Sequence, residues 1–388
     1  MSGVFYEVPS GETVDVKPFH MAVTGITQHG KTEVLKTLME WVRDKGFTVL
    51  VIDVKDKTLG DPDFAEYPHI PIYMEEVAEP LPLLGLLESD AKMQLKFQFP
   101  ELIKACQRSR TLVEIRDRLQ AVVEGGKIHP VRKDKAEVLL LLINRLIEEI
   151  QRVPVSGRLE LQKGMINVIG LANQGFSEAY KQIVVRAVIH EVRSKYSSIV
   201  TFFDEAHIQI PEGYGSASKD WIKRTIKEGA SSRQFLVIAD QTLKDVDKDV
   251  ITQCPIKVFG GQTGGRLEAE RTVQYIPVRG DLKAEDIMTL KLGHFYLSTR
   301  EWTKLVYARP TWLSREEAQR IAKGEVEPDS EEIQKFRARA LSFSKELSQV
   351  IHEVEIYGEA KTYGEDLQSG YEERLQSLEE LVVGVWPR

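Results

Sequence analysis

The chain has 388 residues, 42% hydrophobic and 29% charged, with a formal net charge of −7 and two cysteines. This length and apolar content provide for two or three folded units and exclude a chain that stays disordered throughout. Cys106 and Cys254 lack any CxxC or histidine-rich neighbourhood, which argues against a disulfide framework or a zinc site and predicts two buried small hydrophobes.

The N-terminus lacks the basic and apolar regions of a secretory signal. The longest apolar run, Val138–Ile143, falls far short of the roughly 20 residues that a bilayer span needs. A cytoplasmic protein without membrane contact is the expectation. Charge is uneven along the chain: Thr311–Arg388 holds 17 acidic and 10 basic residues, and the preceding 310 hold 42 of each. Within the body, Glu101–Lys135 carries nine Lys/Arg against five Asp/Glu.

In chain order, Phe19–Thr24 (FHMAVT) predicts a strand, GITQHGKT a loop, and Glu33–Lys45 an amphipathic helix stopped by Gly46. The β-branched run FTVLVIDV (Phe47–Val54) predicts a strand buried on both faces, completing a right-handed βαβ unit. Prolines at 62, 68, 71, 80 and 82 then impose an irregular connection. From Leu95 to Arg152 the apolar spacing of three and four is helical, as an insertion. The strand rhythm resumes with Gly164–Leu171, followed by a helix over Ser177–Tyr196, the strand Ser198–His207, a helix over Lys219–Gly229, and strands over Gln234–Thr242 and Ile256–Gly261. Gly293–Pro310 reads as a hairpin, and charged amphipathic helices without a heptad follow. The alternation predicts a three-layer α/β core. The expected organisation is 1–94 and 156–310 as two parts of one core, 95–155 as a helical insertion, and 311–388 as an acidic helical tail.

Gly25-Ile26-Thr27-Gln28-His29-Gly30-Lys31-Thr32 fits G-x-x-x-x-G-K-[ST] in full, between a strand and a helix. In such a loop backbone N–H groups curl around phosphate oxygens, Lys31 neutralises the β and γ phosphates, and the Thr32 hydroxyl reaches Mg²⁺. His29 is expected to matter through its backbone more than its ring. Asp204 and Glu205 follow the apolar strand IVTFF: Asp204 is suited to hold Mg²⁺ through its water shell, and Glu205 to polarise the attacking water. Asp53 ends another core strand and is either a third carboxylate near the nucleotide or a strand-end cap. Gln241 ends the strand LVIAD, where a polar side chain meets the γ-phosphate. Arg233 is the candidate for an arginine inserted into a neighbouring subunit's site, with Arg224 and Arg266 as competitors.

With these blocks in order, the sequence resembles the HerA/FtsK superfamily of P-loop motor ATPases, nearest to its HerA-like branch, over roughly residues 18 to 310. The resemblance implies a RecA-like domain that binds ATP and Mg²⁺, assembles as a homohexamer and pumps double-stranded DNA through its pore. Carried over, Lys31 and Thr32 bind phosphate and magnesium, Asp204 and Glu205 form the second motif, and Gln241 is the sensor. HerA proteins proper carry a small β-barrel before the phosphate loop, whereas 24 residues precede Gly25, so the barrel is expected to be missing. In the EGR-type segment, Glu228-Gly229 is followed by Ala230-Ser231-Ser232 before Arg233.

Any DNA must meet a local basic surface. One candidate is the insertion, with Lys104, Arg108, Arg110, Arg116 and Arg118; the other is Lys219 at the end of the Gly/Ser loop Gly213–Lys219. A competing reading is an ATP-dependent assembly or switch factor that recruits a nuclease or capsid partner through its tail. A metabolic phosphotransferase fits less well, because a kinase does not need the water-positioning acidic pair.

Overall fold

A computed structural model describes residues 3–25, 29–55, 63–73, 108–109, 111–125, 129–152, 157–171, 176–213, 216, 218–262, 265–340 and 342. Ile26, Thr27 and Gln28 of the phosphate loop, Lys104, Cys106, Arg110, and the tail from residue 343 fall outside them.

Ten strands form one sheet: β1 (Phe5–Glu7), β2 (Thr13–Val14), β3 (Met21–Thr24), β4 (Thr48–Asp53), β5 (Ile166–Gly170), β6 (Ile199–Phe203), β7 (Gln234–Asp240), β8 (Ile256–Phe259), β9 (His294–Ser298) and β10 (Thr303–Ala308), in the spatial order β2-β1-β10-β9-β8-β3-β7-β6-β4-β5. The six strands from β8 to β5 are parallel, and β9, β10, β1 and β2 extend one edge antiparallel. Residues ahead of the phosphate loop thus build β1, which pairs with the closing hairpin at Phe5↔Ala308, and β2, which pairs with β1 at Phe5↔Val14.

The strands are buried on both faces, and alternate side chains enter different cores because strand side chains point to opposite faces. Met21, Val23, Val49, Val51, Val200, Phe202, Val237 and Val258 pack with Val34, Leu35, Leu38, Met39 and Val42 of α1 (Lys31–Asp44). Ala22, Leu50, Ile52, Ile199, Phe203, Leu236 and Ile238 face the other way. That side is covered by α2 (Leu112–Glu124), α3 (Pro130–Arg152), α4 (Glu178–Lys195), α5 (Lys219–Glu228), α6 (Lys248–Gln253), α7 (Arg266–Gln274) and α8 (Ala284–Met288). The chain is an α/β protein of the RecA-like three-layer type. The helical pattern expected in the insertion forms α2 and α3 among the described residues, with Leu119, Leu139 and Ile143 fully buried in the same core as Ile52. Cys254 is buried as expected.

The chain divides into two units, Met1–Thr311 with Arg315–Glu325, and Trp312–Ser314 with Val326–Arg388. The first includes a further helix, α9 (Arg315–Ala322); in the second, residues 331–340 are helical. Among the described residues no helix is long and apolar enough to cross a membrane.

Candidate active site

All the sequence-predicted nucleotide residues that are described lie at the C-terminal ends of the parallel strands. This follows from the strand order: β7 lies between β3, which feeds the phosphate loop, and β6, which carries the acidic pair. Open parallel sheets bind ligands along this edge.

Gly30, at φ +93°, turns the chain into α1, a conformation that favours glycine. Lys31 opens the helix and is buried, its Nζ donating to Asp204 Oδ1 at 2.5 Å and to Glu205 Oε1 at 3.4 Å. Burial alone would lower the pKa of this ammonium, but the Asp204 and Glu205 carboxylates outweigh it and hold the value above the ordinary lysine range. Thr32 follows, half-buried. The second oxygen of Asp204, Oδ2, is buried and has no hydrogen-bond partner among the described residues. A buried carboxylate oxygen left this way is costly unless a cation or ordered water meets it. Asp204 and the Thr32 hydroxyl are hard-oxygen donors of the kind that could hold Mg²⁺.

Glu205 sits at φ +54°, in the left-handed region that a residue with a side chain adopts at a cost, and strain of this kind concentrates at functional sites. Its Oε1 accepts from Gln241 Nε2 at 3.3 Å, and Lys55 Nζ lies 3.8 Å away while also pairing with Asp63 at 3.2 Å. Gln262 continues the row, its Nε2 donating to the Gln241 carbonyl at 3.2 Å and to Thr24 Oγ1 at 3.4 Å. The ends of β3, β7 and β6 are thereby joined by side chains.

Beyond Glu205 the chain makes a short 3₁₀ turn, Ala206–Ile208. The His207 ring Nδ1 lies 2.9 Å from Asp240 Oδ2 and 3.7 Å from Glu205 Oε2. The Asp240 hydrogen bond raises the His207 pKa against the opposing effect of burial. His207, Asp240, Lys55 and Gln262 were not singled out from the sequence. A histidine two residues after the glutamate and an aspartate just before the glutamine were the available signals.

Several expectations change. The His29 ring is not a bystander: it is buried edge-on against Phe295, with Nε2 3.1 Å from the His294 carbonyl, and burial lowers its pKa. A Cβ on Gly261 would lie 2.7 Å from His29 Cε1, so the glycine pair after β8 makes room for this ring. Asp53 accepts the Lys55 backbone N–H at 3.3 Å, the local cap of a strand end. Lys219, expected in a loose loop facing DNA, starts α5, and its ammonium binds Asp247 Oδ2 and the Pro211 carbonyl, each at 2.7 Å. The serines of that loop are buried anchors: Ser216 and Ser218 both donate to the Gln209 carbonyl, at 2.5 and 2.9 Å.

Arg233 lies at the start of β7, the opposite end of the strand from Gln241, with its guanidinium 4.5 Å from the centre of the Phe47 ring. Arg224 sits 5.3 Å from the Trp221 ring, and Arg266 pairs with Glu270 and Glu285.

No family model matches the chain. It is 23% identical over 274 residues to the DNA double-strand break repair helicase HerA of Sulfolobus acidocaldarius, a match covering 62% of this chain and 54% of the relative. The chain thus spans about half the length of that relative. Its fold is similar to that of VirB4 of Thermoanaerobacter pseudethanolicus, with a TM-score of 0.58 and 13% identity over 80% of this chain and 97% of the other. It is also similar to the bacterial conjugative coupling protein TrwB, with a TM-score of 0.53 and 14% identity over 81% and 91% of the two chains. A further structure of TrwB, in complex with the non-hydrolysable GTP analogue GDPNP, matches with a TM-score of 0.51, 14% identity and coverage of 78% and 89%. The resemblance to HerA/FtsK-type P-loop motor ATPases stands as a weak sequence match and a shared RecA-like fold.

Proposed function

We propose that this chain is the ATP-hydrolysing core of a ring motor that moves double-stranded DNA. One observation carries the hydrolytic part: three adjacent strand ends bring Lys31, Asp204, Glu205 and Gln241 into one hydrogen-bonded group. The arrangement suits phosphoryl transfer to water. The Gly30 turn and the start of α1 present backbone N–H groups to phosphate, and Lys31 exchanges its carboxylate partners for the β and γ phosphates. Glu205, released from Lys31, accepts a proton from the attacking water, and Gln241 stays within reach of the same oxygen and of the γ-phosphate. A magnesium ion held by Thr32 and Asp204 would supply charge neutralisation on the phosphate oxygens.

The DNA and ring parts rest on the similarity to HerA, named as a DNA repair helicase, and to TrwB, named as a conjugative coupling protein. In a homohexamer a neighbour completes each site, and Arg233, Arg224 and Arg266 are the candidate arginines for that role. The basic part of the insertion, through Arg108 and, on α2, Arg116 and Arg118, is the first candidate DNA surface, because the Lys219 ammonium is engaged within the chain. The acidic tail is the candidate docking segment for a nuclease or other protein partner.

The test is the ATPase rate with and without linear double-stranded DNA, alongside native mass with ATP. DNA-stimulated hydrolysis by a hexamer is expected. A monomer that hydrolyses at full rate and ignores DNA would sink the motor reading.

A further inference from the structure

Asp240 is the last residue of β7, almost fully buried, and its two oxygens face two different loops. Oδ2 accepts the backbone N–H of His207 at 2.8 Å, and the His207 ring Nδ1 lies 2.9 Å away. A carboxylate accepts and does not donate, so the ring proton is on Nδ1. Oδ1 accepts the backbone N–H of Gln241 at 2.7 Å and that of Thr242 at 3.4 Å.

Asp240 therefore takes four N–H groups, two from the turn that follows Glu205 and two from the segment that carries Gln241. Glu205 has a left-handed backbone, and the short 3₁₀ turn that follows closes on itself through the Ile208 N–H on the Glu205 carbonyl at 3.1 Å and the Gln209 N–H on the Ala206 carbonyl at 3.0 Å, while Asp240 ties this turn to the end of β7. Neither His207 nor Asp240 is used by the hydrolytic reading given above.

We propose that Asp240 is a positioning residue, which holds the hydrolytic Glu205 through His207 and holds the γ-phosphate-facing Gln241 through its backbone. The inference rests on the hydrolase reading of this site, but its geometry is specific to this chain. One carboxylate sets the separation of two side chains that must meet the same water and phosphate. Loss of the clamp lets Glu205 and Gln241 move apart while Lys31 keeps its closer partner Asp204, so turnover suffers far more than nucleotide binding.

The test compares Asp240→Asn, His207→Ala and the double variant in the full-length protein. An amide offers one acceptor oxygen and turns an NH2 toward the other pair of donors, so one loop is released at nearly constant volume. Asp240→Asn is expected to lower kcat about 10–100-fold with KM for ATP within about threefold of wild type, the range typical of residues that orient catalytic groups. The double variant should be no slower than Asp240→Asn, because the His207 ring acts through Asp240. A kcat within about twofold of wild type, losses that multiply, or a KM that rises in step with the loss of kcat would each overturn the proposal.

Should Asp240→Asn fail to fold, His207→Ala alone decides by the same split between kcat and KM. Amide hydrogen exchange of residues 204–208 is the readout independent of turnover: it should rise at least about tenfold in Asp240→Asn, and unchanged exchange overturns the clamp. Glu205→Gln run in parallel separates the two readings. Wild-type turnover in that variant rejects the hydrolase assignment itself, whatever Asp240 does.

Discussion

Lys31 Nζ and Asp204 Oδ1 lie 2.5 Å apart, both side chains almost fully buried, so the ammonium proposed to meet phosphate is paired with a carboxylate of the protein. On the proposed reading a phosphate replaces one anion by another on the same lysine. The lysine pKa is raised, so the sign is that of a group whose stabilisation is present below its ordinary value of 10.5 and lost as pH climbs above it. At neutral pH the pair is intact.

Removing the lysine has two expected effects. Lys31→Ala leaves two buried carboxylates with a weaker cation, Lys55, at 3.8 Å from one of them, and stability should fall by about 3 kcal/mol in chemical denaturation. Nucleotide affinity, read by titration with a fluorescent ATP analogue, should fall at least about 100-fold. Glu205→Gln should bind the analogue normally and lose hydrolysis by about 100-fold or more, because the change removes the proton acceptor and leaves the phosphate contacts. A Lys31→Ala protein as stable as wild type would contradict the buried pair.

A second expectation concerns the ring of His29 and the glycine beside it. A Cβ at Gly261 would stand 2.7 Å from His29 Cε1 and 2.9 Å from Nδ1, well inside van der Waals contact. Gly261→Ala should push the ring, displace the backbone next to Gly30, and weaken nucleotide binding about tenfold. His29→Ala in the same chain removes the obstacle, so the double variant should bind better than Gly261→Ala alone. If it binds no better, the ring is not what the glycine accommodates.

What the sequence could disclose depended on whether a feature is local. The phosphate-loop motif, the acidic pair after IVTFF and the buried β-branched runs are each contiguous in sequence, and the strands and helix that flank them form where the pattern implies. β1 and β2 are three and two residues long, and β1 pairs with a hairpin strand some 300 positions away, as in Phe5↔Ala308, so no periodicity marks them. Nor does chain order tell that β7 lies between β3 and β6, the fact that brings Asp240 and Gln241 to Glu205. The loop around Ser216 and Ser218 looked loose because polar residues usually mark exposed connectors. Here both hydroxyls are buried on the Gln209 carbonyl, which composition does not reveal.

Acid stability should be governed in part by His20. It is buried next to Phe19 and Phe235, its Nδ1 accepts the Leu236 backbone N–H at 3.1 Å, and burial pushes its pKa down to about 4. A base that binds its proton more weakly when folded leaves stability full above about 6.5, its ordinary value, and costs stability as pH falls from there to about 4. Within that window this histidine contributes a loss of about 1.4 kcal/mol per pH unit, and His29 adds in the same direction. His20→Gln keeps an acceptor for the Leu236 N–H and removes the titration, so denaturation measured between pH 4.5 and 7 should show a shallower slope (about one proton fewer). An unchanged slope assigns the acid sensitivity elsewhere.

The DNA surface is the prediction with most at stake, and two cations separate its alternatives. Arg118 is exposed on α2, within the basic stretch 101–135, two positions after Arg116, which pairs with Asp117 at 2.7 Å. Lys219 shares Asp247 with Lys223, whose ammonium is 2.9 Å from the same oxygen, and Asp247 also caps α6 through the backbone N–H groups of Asp249 and Val250. Each phosphate contact contributes about 0.9 to the slope of log affinity against log salt. Arg118→Ala should therefore flatten that slope by about one and weaken binding equally across sequences, while basal ATPase stays at the wild-type rate. Lys219→Ala should leave the slope unchanged and instead lower the melting temperature by about 2–4 °C, as expected for about 1 kcal/mol lost from a partly buried charge pair. If Lys219→Ala flattens the slope and Arg118→Ala does not, DNA is met at the loop beside the hydrolysis site, and its lysine must leave Asp247 to do so.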